Sequence, residues 1–313
     1  MTTAAITLDR EQIALPDAYA WAKTYTKDRA KNFYYAFAIL PQAKRDAIYA
    51  AYAFSGYVDD IADELTDRGE QERQLAEARE RLAACYRGER AGALFTALGG
   101  AVDAYAIPQQ FFSDLVNGVE MDFTKNRYET WDELYSYCYH VASMVGLICT
   151  SVFGTKPHPL AKQFAVDMGI GLQIVNIMRD VREDAERNRV YFAAEDLAAH
   201  GLTADDILAC TYDERFAAMM QRQGKRARAY FRRGNRLLPL LDLRSRMCVN
   251  VMQGVYFDIL KRIEQRNYDV LSERVSLSSR EKMASIGKLW VQAALIRPSN
   301  GTSAVTAPEG IDV

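Results

Sequence analysis

The sequence predicts an all-α fold. Long stretches rich in Ala, Leu, Arg and Glu are typical of helices, and only 8 of the 313 residues are Pro. The alternation of Val, Ile and Thr that is typical of strands is missing. No Pro-, Gly- or Ser-rich linker divides the chain, so we predict one domain over 16–297. Residues 1–15 are expected to be weakly ordered, and residues 298–313, rich in Gly, Ser, Thr and Pro, to be disordered.

The predicted helices follow from apolar periodicity and from residues that start or stop helices. Pro16 is favourable in a first helical turn, so a helix is expected to begin there. Pro41 ends the second helix, and Pro108 begins a later one that ends near Asp122. After the first helix, the others are predicted at about 31–40, 44–63, 70–87, 108–122, 131–153, 160–186, 204–208, 214–237, 245–266 and 279–293.

Composition excludes several function classes. A net charge of -2 argues against general nucleic-acid affinity. The 5 Cys have no Cys-x-x-Cys spacing, which fits a reduced cytoplasmic setting without a zinc site. The 3 His fall in neither Glu-x-x-His nor His-x-x-x-His patterns, so a di-iron bundle and a zinc protease are not supported. No secretory signal and no run of about 18 uncharged apolar residues is found, so nothing is predicted to span a membrane.

Two acidic pairs with the same spacing are the most informative functional feature. Asp59 and Asp63 form one pair, and Asp180 and Asp184 form the other. A spacing of four places two side chains on one helix face, where like charges repel. Both pairs have apolar neighbours, which argues against a solvated face. Carboxylates on two facing helices suit Mg²⁺ that bridges a diphosphate, so the pairs point to ionisation of an allylic diphosphate.

The second pair continues a longer polar stripe. Gln173, Asn176, Asp180 and Asp184 lie on one helix face over about three turns. The residues between them are mostly apolar, so apolar side chains surround the stripe and the helix has no separate apolar face on its opposite side. The stripe is therefore predicted to line a cavity.

Several segments, which together cover most of the chain, match the sequence pattern of one known protein family. They lie at 31–41, 49–54, 118–122, 127–128, 137–146, 189–191, 266–270 and 272–275. The pattern Gln-x-x-Asn-x-x-x-Asp-x-x-x-Asp, followed five residues later by Arg-x-Tyr, is highly specific in that context. On these residues the chain resembles the squalene/phytoene synthase family, the head-to-head condensing prenyltransferases. The resemblance implies an isoprenoid synthase-type helical bundle around a deep apolar cavity.

The resemblance also implies a role for each of several residues. It implies metal ligands at Asp59, Asp63, Asp180 and Asp184, which would hold two or three Mg²⁺ ions. It implies substrate-binding side chains at Lys31, Asn32, Phe33, Gln173, Asn176, Arg179, Arg189 and Arg274. It implies catalytic tyrosines at Tyr52, Tyr139, Tyr191 and Tyr256, with plain core packing as the alternative for each. Arginine forks match phosphate oxygens, and aromatic faces can stabilise a carbocation.

The implied reaction joins two prenyl diphosphates through a cyclopropylcarbinyl diphosphate. Segments 32–37 and 141–149 look closer to bacterial presqualene diphosphate synthases than to phytoene synthases. We therefore expect farnesyl diphosphate and a C30 product, with large side chains such as Phe33, Phe37, Met144 and Leu147 closing the cavity floor. Phytoene synthesis from geranylgeranyl diphosphate is the alternative. NADPH is needed only if squalene is released, and downstream isoprenoid enzymes are the expected partners.

Two departures from the family pattern keep other interpretations open. Gly56 stands three residues before Asp59, where the family usually has an arginine, and Asn32 stands where a serine is common. Lys31 or another cation would have to substitute, and Gly56→Arg is predicted to stabilise the helix and to tighten substrate binding. A non-catalytic assembly factor is one alternative. Head-to-tail elongation or terpene cyclisation is another, because residues 59–63 of this chain also match the Asp-Asp-x-x-Asp motif of those enzymes.

A basic stretch at 221–236 contains seven Arg or Lys side chains, with Tyr230 and Phe231 among them. A solvated helix face is the plainest interpretation. Peripheral contact with the inner membrane surface is the alternative, since a very apolar product has to leave into lipid.

Overall fold

The computed structural model describes residues 12–29, 31–65 and 67–299. Every regular element in these ranges is a helix, and an isolated β-bridge joins Tyr128 to Ala193. The all-α prediction is confirmed. Most of the two terminal segments predicted to be poorly ordered lies outside the described residues.

The helices agree with most of the predicted ranges. In chain order they are α1 Leu15–Arg29, α2 Lys31–Phe37, α3 Gln42–Glu64, α4 Arg68–Tyr86, α5 Gly92–Tyr105, α6 Gln109–Thr124, α7 Trp131–Cys138, α8 Met144–Phe153, α9 Ala161–Arg179, α10 Val181–Glu186, α11 Ala194–Ala198, α12 Ala204–Leu208, α13 Glu214–Gly234, α14 Leu243–Gln265 and α15 Ser279–Leu295. A π-helical turn, Tyr139–Ser143, joins α7 to α8, and a 3₁₀-helix, Asn235–Leu240, follows α13.

Two of the observed helices were not predicted, and a third was predicted too long. Helix α5 is apolar almost all round and buries most of its residues, so it has no polar face to create a helical period. Helix α11 is only one turn long. The helix predicted over 160–186 is interrupted at Asp180, whose φ and ψ of -102° and 17° are not helical.

The chain forms two compact units, and the prediction of a single domain stays a prediction. Unit 1 contains the described residues up to Phe123 together with Leu147–Gly154. In unit 1, α1, α3 and α5 pack against one another. The Phe54 ring meets the rings of Phe95 and Phe112 edge to face, with centroids 6.2 and 5.3 Å away. This core fixes the face of α3 that carries the first acidic pair.

Unit 2 contains Thr124–Gly146 and the described residues from Thr155 onward. Helix α9 packs along α13 and against the π-helical turn, and α14 packs against α15. Gly169 permits the close approach to the turn, because a Cβ there would lie 2.7 Å from the Ser143 Cα. The Ser143 Oγ donates a hydrogen bond of 2.9 Å to the Val166 carbonyl. These contacts hold the end of the turn against α9.

The helical stretch Trp131–Phe153 is long and apolar enough to span a membrane by length and composition alone. Buried helices of water-soluble proteins pass the same test, and nearly half of this stretch is buried in the protein. The prediction that nothing spans a membrane stays a prediction.

The basic stretch on α13 is only partly solvated. The Arg226 guanidinium is buried, lies 4.1 Å from the Trp131 ring centroid and pairs with the buried Asp196. Gln223 donates a further hydrogen bond of 3.0 Å to Asp196. Desolvation raises the pKa of Asp196, but these donors outweigh it, so the pKa lies below its usual value. Part of the stretch is therefore a structural ion pair, while Lys225, Arg232 and Arg236 stay exposed.

We expect Asp196→Ala to lower the free energy of unfolding by about 3–5 kcal/mol, because it leaves the Arg226 charge buried without its partner. Since the folded-state pKa of Asp196 is lowered, its contribution is present at neutral pH and is lost as the pH falls through that value. Urea unfolding at pH 7 measures the effect. Asp205→Ala, at an exposed position of α12, is the control and should change stability by less than about 1 kcal/mol. Equal effects of the two variants would contradict the prediction.

Candidate active site

The first acidic pair lies on α3 in unit 1. Tyr57, Val58 and Ile61 are fully buried and fix the rotation of the helix, whereas Asp59 and Asp63 are exposed. Desolvation by the surrounding protein, followed by the charges of Asp63, Asp122 and Asp60, raises the pKa of Asp59 to about 7. The side chain is nevertheless open to solvent, so a cation can reach it. The position is one of concentrated negative charge, as a metal ligand requires.

Tyr25 and Arg29, which were not predicted as site residues, hold the carboxylate of Asp60, the neighbour of Asp59. Asp60 is 5% exposed and accepts a hydrogen bond of 3.0 Å from the Tyr25 hydroxyl on α1. Arg29, one turn further along α1, pairs with the other oxygen of Asp60 and lies over the Tyr25 ring. Burial and then the charge of Asp60 raise the pKa of Tyr25, so its hydroxyl stays protonated as a donor. Arg29 therefore supplies positive charge beside the first acidic pair.

Gly56 makes room for this arrangement. A Cβ at position 56 would lie 2.8 Å from the Tyr25 hydroxyl oxygen and 3.0 Å from its Cε1. The Tyr25 ring also stacks on Trp21, with centroids 5.4 Å apart, so it is held on two sides. The structure thus argues against the prediction that an arginine at position 56 stabilises α3, because the space is filled by Tyr25.

The second acidic pair lies in unit 2, where α9 ends and α10 begins. The Asp180 N–H still donates to the Asn176 carbonyl at 2.9 Å, and the Asp184 N–H donates to the Asp180 carbonyl at 2.9 Å. Because both bonds keep the i to i−4 pattern, the break at Asp180 does not shift the helical register. The stripe predicted from the sequence therefore continues through the break.

Two arginines hold the Asp180 carboxylate. Arg179 donates to both of its oxygens, and Arg274 donates to Oδ1 at 2.9 Å through Nη2. The Arg274 Nε also lies 2.9 Å from a Glu183 carboxylate oxygen. Desolvation opposes ionisation of Asp180, but these hydrogen bonds prevail and lower its pKa. Arg274 is far from Asp180 in sequence, and the structure brings it to the predicted place.

Amide and tyrosine side chains surround the start of this group. The Asn176 amide donates to the Gln173 side-chain oxygen at 3.2 Å. Burial raises the pKa of Tyr256, while Arg179 and Asn176, both within hydrogen-bond reach of its hydroxyl, act in the opposite direction. The Asn176 Oδ1 is buried and accepts no hydrogen bond from the described residues. Gln173, Asn176, Arg179 and Tyr256 therefore form one cluster with Asp180.

The other predicted tyrosines have different surroundings. Tyr191 is buried and stacks on Tyr137, with centroids 4.9 Å apart, and on Tyr128, with centroids 6.0 Å apart. Tyr139 is half-buried at the start of the π-helical turn, an irregularity that is frequent at functional sites. Tyr52 is half-buried on α3. Tyr191 lies in an aromatic stack that the sequence analysis did not identify.

Comparison with known proteins identifies the family. The family model for squalene/phytoene synthase matches residues 26–281. The chain belongs to this family. It is 34% identical over 300 residues to a 15-cis-phytoene synthase of Synechococcus elongatus, covering 92% of this chain and 97% of that protein. It is 32% identical over 292 residues to a phytoene synthase of Arthrospira platensis, covering 90% and 94%.

Solved structures agree with this family and with its fold. A dehydrosqualene synthase matches 90% of this chain and 98% of its own, with a TM-score of 0.82 and 23% identity. A squalene synthase from Alicyclobacillus acidocaldarius matches 81% and 95%, with a TM-score of 0.77 and 27% identity. The chain is therefore a prenyltransferase of the squalene/phytoene synthase family, with the all-α isoprenoid synthase fold, and its reaction class is head-to-head condensation of prenyl diphosphates. The deep apolar cavity stays a prediction.

Some residues with an implied family role remain untested by the structure. The side chains of Lys31, Asn32 and Phe33 lie outside the described residues, although their backbone forms the start of α2. Arg189 follows α10, and its N–H donates to the Asp184 carbonyl at 2.8 Å. That bond keeps Arg189 beside the second acidic pair.

The oxygen-rich donor set fits Mg²⁺ in its chemistry. Within the described residues, no group of three or more His, Cys, Asp or Glu side chains forms a ready-made metal cage. The acidic pairs nevertheless offer hard carboxylate oxygens, and the buried Asn176 Oδ1 is an unpaired acceptor one turn before Asp180. An unpaired buried acceptor is costly, which is what a coordinated cation would relieve. The metal ligands would be Asp59, Asp63, Asp180 and Asp184, with Asn176 beside the second pair.

Proposed function

We propose that this protein condenses two molecules of geranylgeranyl diphosphate head to head to form phytoene. The observation that carries the proposal is the identity of 34% with a 15-cis-phytoene synthase over nearly the full length of both chains. Other relatives at 31–32% identity are also named phytoene synthases. This support outweighs the expectation of farnesyl diphosphate that came from short segments of the sequence.

The structure also weakens the physical reason for a shorter substrate. Phe37 is 2% exposed and Met144 is fully buried, so neither presents surface to an open cavity floor. Phe37 instead packs on the Tyr49 ring, with centroids 6.1 Å apart. Leu147 is 5% exposed. Of the side chains invoked to shorten the cavity, these three are core residues, and Phe33 is not described.

The proposed chemistry has two steps that need no reductant. In the first, one donor loses diphosphate, and the C2–C3 double bond of the other molecule attacks the allylic cation. Loss of a proton then closes the cyclopropane ring. In the second, the cyclopropylcarbinyl diphosphate loses its diphosphate, rearranges and loses another proton to give phytoene. Hydride from NADPH would be required only for a squalene-type product.

The residues of the second acidic set are proposed to bind and ionise the diphosphate. When bound, Mg²⁺ supplies positive charge that stabilises the departing diphosphate. Arg179 and Arg274, which now hold Asp180, present planar guanidinium groups that match phosphate oxygens. Tyr256 keeps its proton because its pKa is raised, so its hydroxyl can donate to a phosphate oxygen. Of the four predicted catalytic tyrosines, Tyr52 and Tyr139 are half-buried, and their rings are proposed to face a cationic intermediate.

We predict that geranylgeranyl diphosphate is used in preference to farnesyl diphosphate. The test supplies both diphosphates and Mg²⁺ in one tube, with and without NADPH, and identifies products by mass spectrometry. C40 phytoene should dominate, and its yield should not depend on NADPH. A product pool dominated by C30 compounds would overturn the substrate proposal, but it would not affect the assignment to the family. Absence of any condensation, with the fold intact, would favour the non-catalytic alternative.

Cytoplasmic location, contact with the inner membrane surface and transfer of product to downstream isoprenoid enzymes are parts of the same proposal. The exposed basic side chains Lys225, Arg232 and Arg236 on and after α13 support contact with an anionic surface.

A further inference from the structure

A cavity of about 520 Å³ lies in unit 2 between α13, α14 and α15. Its volume is within the range of small-molecule sites. The apolar part of its wall is formed by Phe231, Phe257 and Leu289, and the buried amides of Asn250 and Gln253 add polar surface. None of the residues with an implied family role lines it.

The cavity is on a different face of α14 from the candidate active site. Each residue of a helix is rotated by about 100° from the one before it. Gly254 and Lys261, which line the cavity, are therefore rotated by about 160° and 140° from Tyr256, whereas Gln253, on the side of the cavity nearer to Tyr256, is rotated by about 60°. A ligand here would share the helix with Tyr256 but would not occupy its cluster.

The rim of the cavity carries an excess of positive charge. Arg232 on α13 and Lys288 on α15 are exposed, and neither forms an ion pair with a described residue. Lys261 lies 4.8 Å from the Phe257 ring centroid and 3.6 Å from an Asp258 oxygen. The Asp258 carboxylate also accepts a hydrogen bond of 2.9 Å from Ser285. Two cations on separate helices thus remain available to an anion.

The inner wall of the cavity carries side-chain oxygens that can accept hydrogen bonds from a ligand. Gln253 is 9% exposed, and its Oε1 is buried and accepts no hydrogen bond from the described residues. The Asn235 Oδ1, in the 3₁₀-helix that follows α13, is also buried and unpaired within the described part of the chain. Unpaired buried acceptors are rare in folded proteins and are commonly satisfied by a ligand or water. Asn250 is already engaged, because its amide donates to the Leu289 carbonyl at 2.7 Å.

We propose that this cavity binds a phosphate ester whose alcohol part carries hydroxyl groups. The phosphate lies against Arg232 and Lys288, and the carbon atoms contact Phe257. The side chains of Gln253 and Asn235 turn their buried oxygens toward the cavity, where they accept hydrogen bonds from the hydroxyl groups. Free polyol phosphates and the head group of phosphatidylglycerol share this chemistry. The site is independent of the proposed substrate, and it would give an enzyme with an apolar product either a soluble effector or a specific lipid contact.

The test uses the full chain with two probes. Calorimetric titration with glycerol 3-phosphate detects a soluble ligand, and co-sedimentation with phosphatidylglycerol vesicles, against phosphatidylcholine vesicles, detects a lipid head group. Binding of at least one probe is expected. The double variant Arg232→Gln with Lys288→Gln should weaken it by roughly tenfold or more, because both charge-assisted contacts are lost. Lys225→Gln with Lys282→Gln removes the same charge from the same two helices, away from the cavity. It should change glycerol 3-phosphate binding less than about twofold, and it should weaken vesicle binding less than the cavity double variant does.

Each pattern of results decides the proposal. Cavity-dependent binding of glycerol 3-phosphate alone identifies a soluble ligand, and cavity-dependent binding of phosphatidylglycerol alone identifies a lipid. Failure of both probes, or equal weakening by the two double variants, overturns the proposal.

A second variant tests the polar wall. Gln253→Leu removes a buried unpaired acceptor, so the melting temperature without ligand should stay the same or rise. The same variant should weaken glycerol 3-phosphate binding while leaving inorganic phosphate binding unchanged, because only the hydroxyl contact is lost. A fall in melting temperature with unchanged glycerol 3-phosphate binding would assign Gln253 a structural role and overturn this part of the site.

Discussion

Asp63→Asn and Asp180→Asn are each expected to lower turnover of prenyl diphosphate by at least roughly 100-fold. Loss of an outer partner of a metal ligand commonly costs about 10- to 100-fold, so loss of a charged ligand itself should cost at least as much. Each substitution keeps the size of the side chain and removes its charge. Steady-state diphosphate release in Mg²⁺ gives the measurement. Asp205→Asn, at an exposed position on α12, is the control and should retain normal turnover.

The two variants should differ in stability without metal. Asp63 contributes to the repulsion felt by Asp59, so Asp63→Asn should leave stability unchanged or raise it. Asp180 is instead held by Arg179 and Arg274, so Asp180→Asn should lower stability, by about 1 kcal/mol or less because Arg274 is largely exposed. Near-normal turnover in both variants would contradict the metal assignment, whatever their stability.

This difference between the pairs shows how much of the site could be predicted from sequence. Spacing alone identified both pairs and the stripe from Gln173 to Asp184, since helical periodicity is a local property. It could not identify the counter-charges. Arg274 reaches Asp180 from a loop 94 residues away, and such a contact depends on tertiary structure. From their spacing alone, the two pairs look alike, because each places two like charges on one helix face.

The fold was predictable for similar reasons. Helices with a polar face and a clear start, such as α12 with its Thr203–Asp206 capping box, lie where the sequence predicts them. Helix α5 was missed because its periodic signal disappears when nearly all of its surface is buried. The π-helical turn at Tyr139–Ser143, which packs against α9, also has no local signal in the sequence.

Gly56 shows most directly why a family pattern alone can mislead. The glycine looked like a missing diphosphate ligand in α3. The structure places Tyr25 over it and Arg29 beside Asp60, so the position serves a contact between α1 and α3. The sequence carried no sign that these residues meet, because Tyr25 and Asp60 are 35 positions apart.

Gly56→Arg is accordingly expected to destabilise the protein by about 1–3 kcal/mol, the usual cost of overpacking. The new Cβ would lie 2.8 Å from the Tyr25 hydroxyl oxygen, and Tyr25 cannot move away without losing its bond to Asp60 and its stacking on Trp21. Displacement of α1 would also move Arg29 away from the first acidic pair. The Michaelis constant for the prenyl donor should therefore rise, and urea unfolding together with steady-state kinetics measures both effects.

Three further variants separate the steric effect of a side chain at position 56 from its effect on helix propensity. Gly56→Ala should destabilise the protein although alanine favours helices, because its Cβ meets the same hydroxyl. Gly287→Ala lies in α15, where no atom of the described residues, apart from the adjacent residues and the local helix backbone, is within 4 Å of the new Cβ. It should stabilise the protein by up to about 1 kcal/mol. Tyr25→Ala combined with Gly56→Arg should be more stable than the sum of the single variants predicts, since the clash is gone. Equal stabilisation by alanine at positions 56 and 287 would contradict the prediction. It would mean that Tyr25 moves away at little cost and that position 56 simply lacks the arginine that the family usually has.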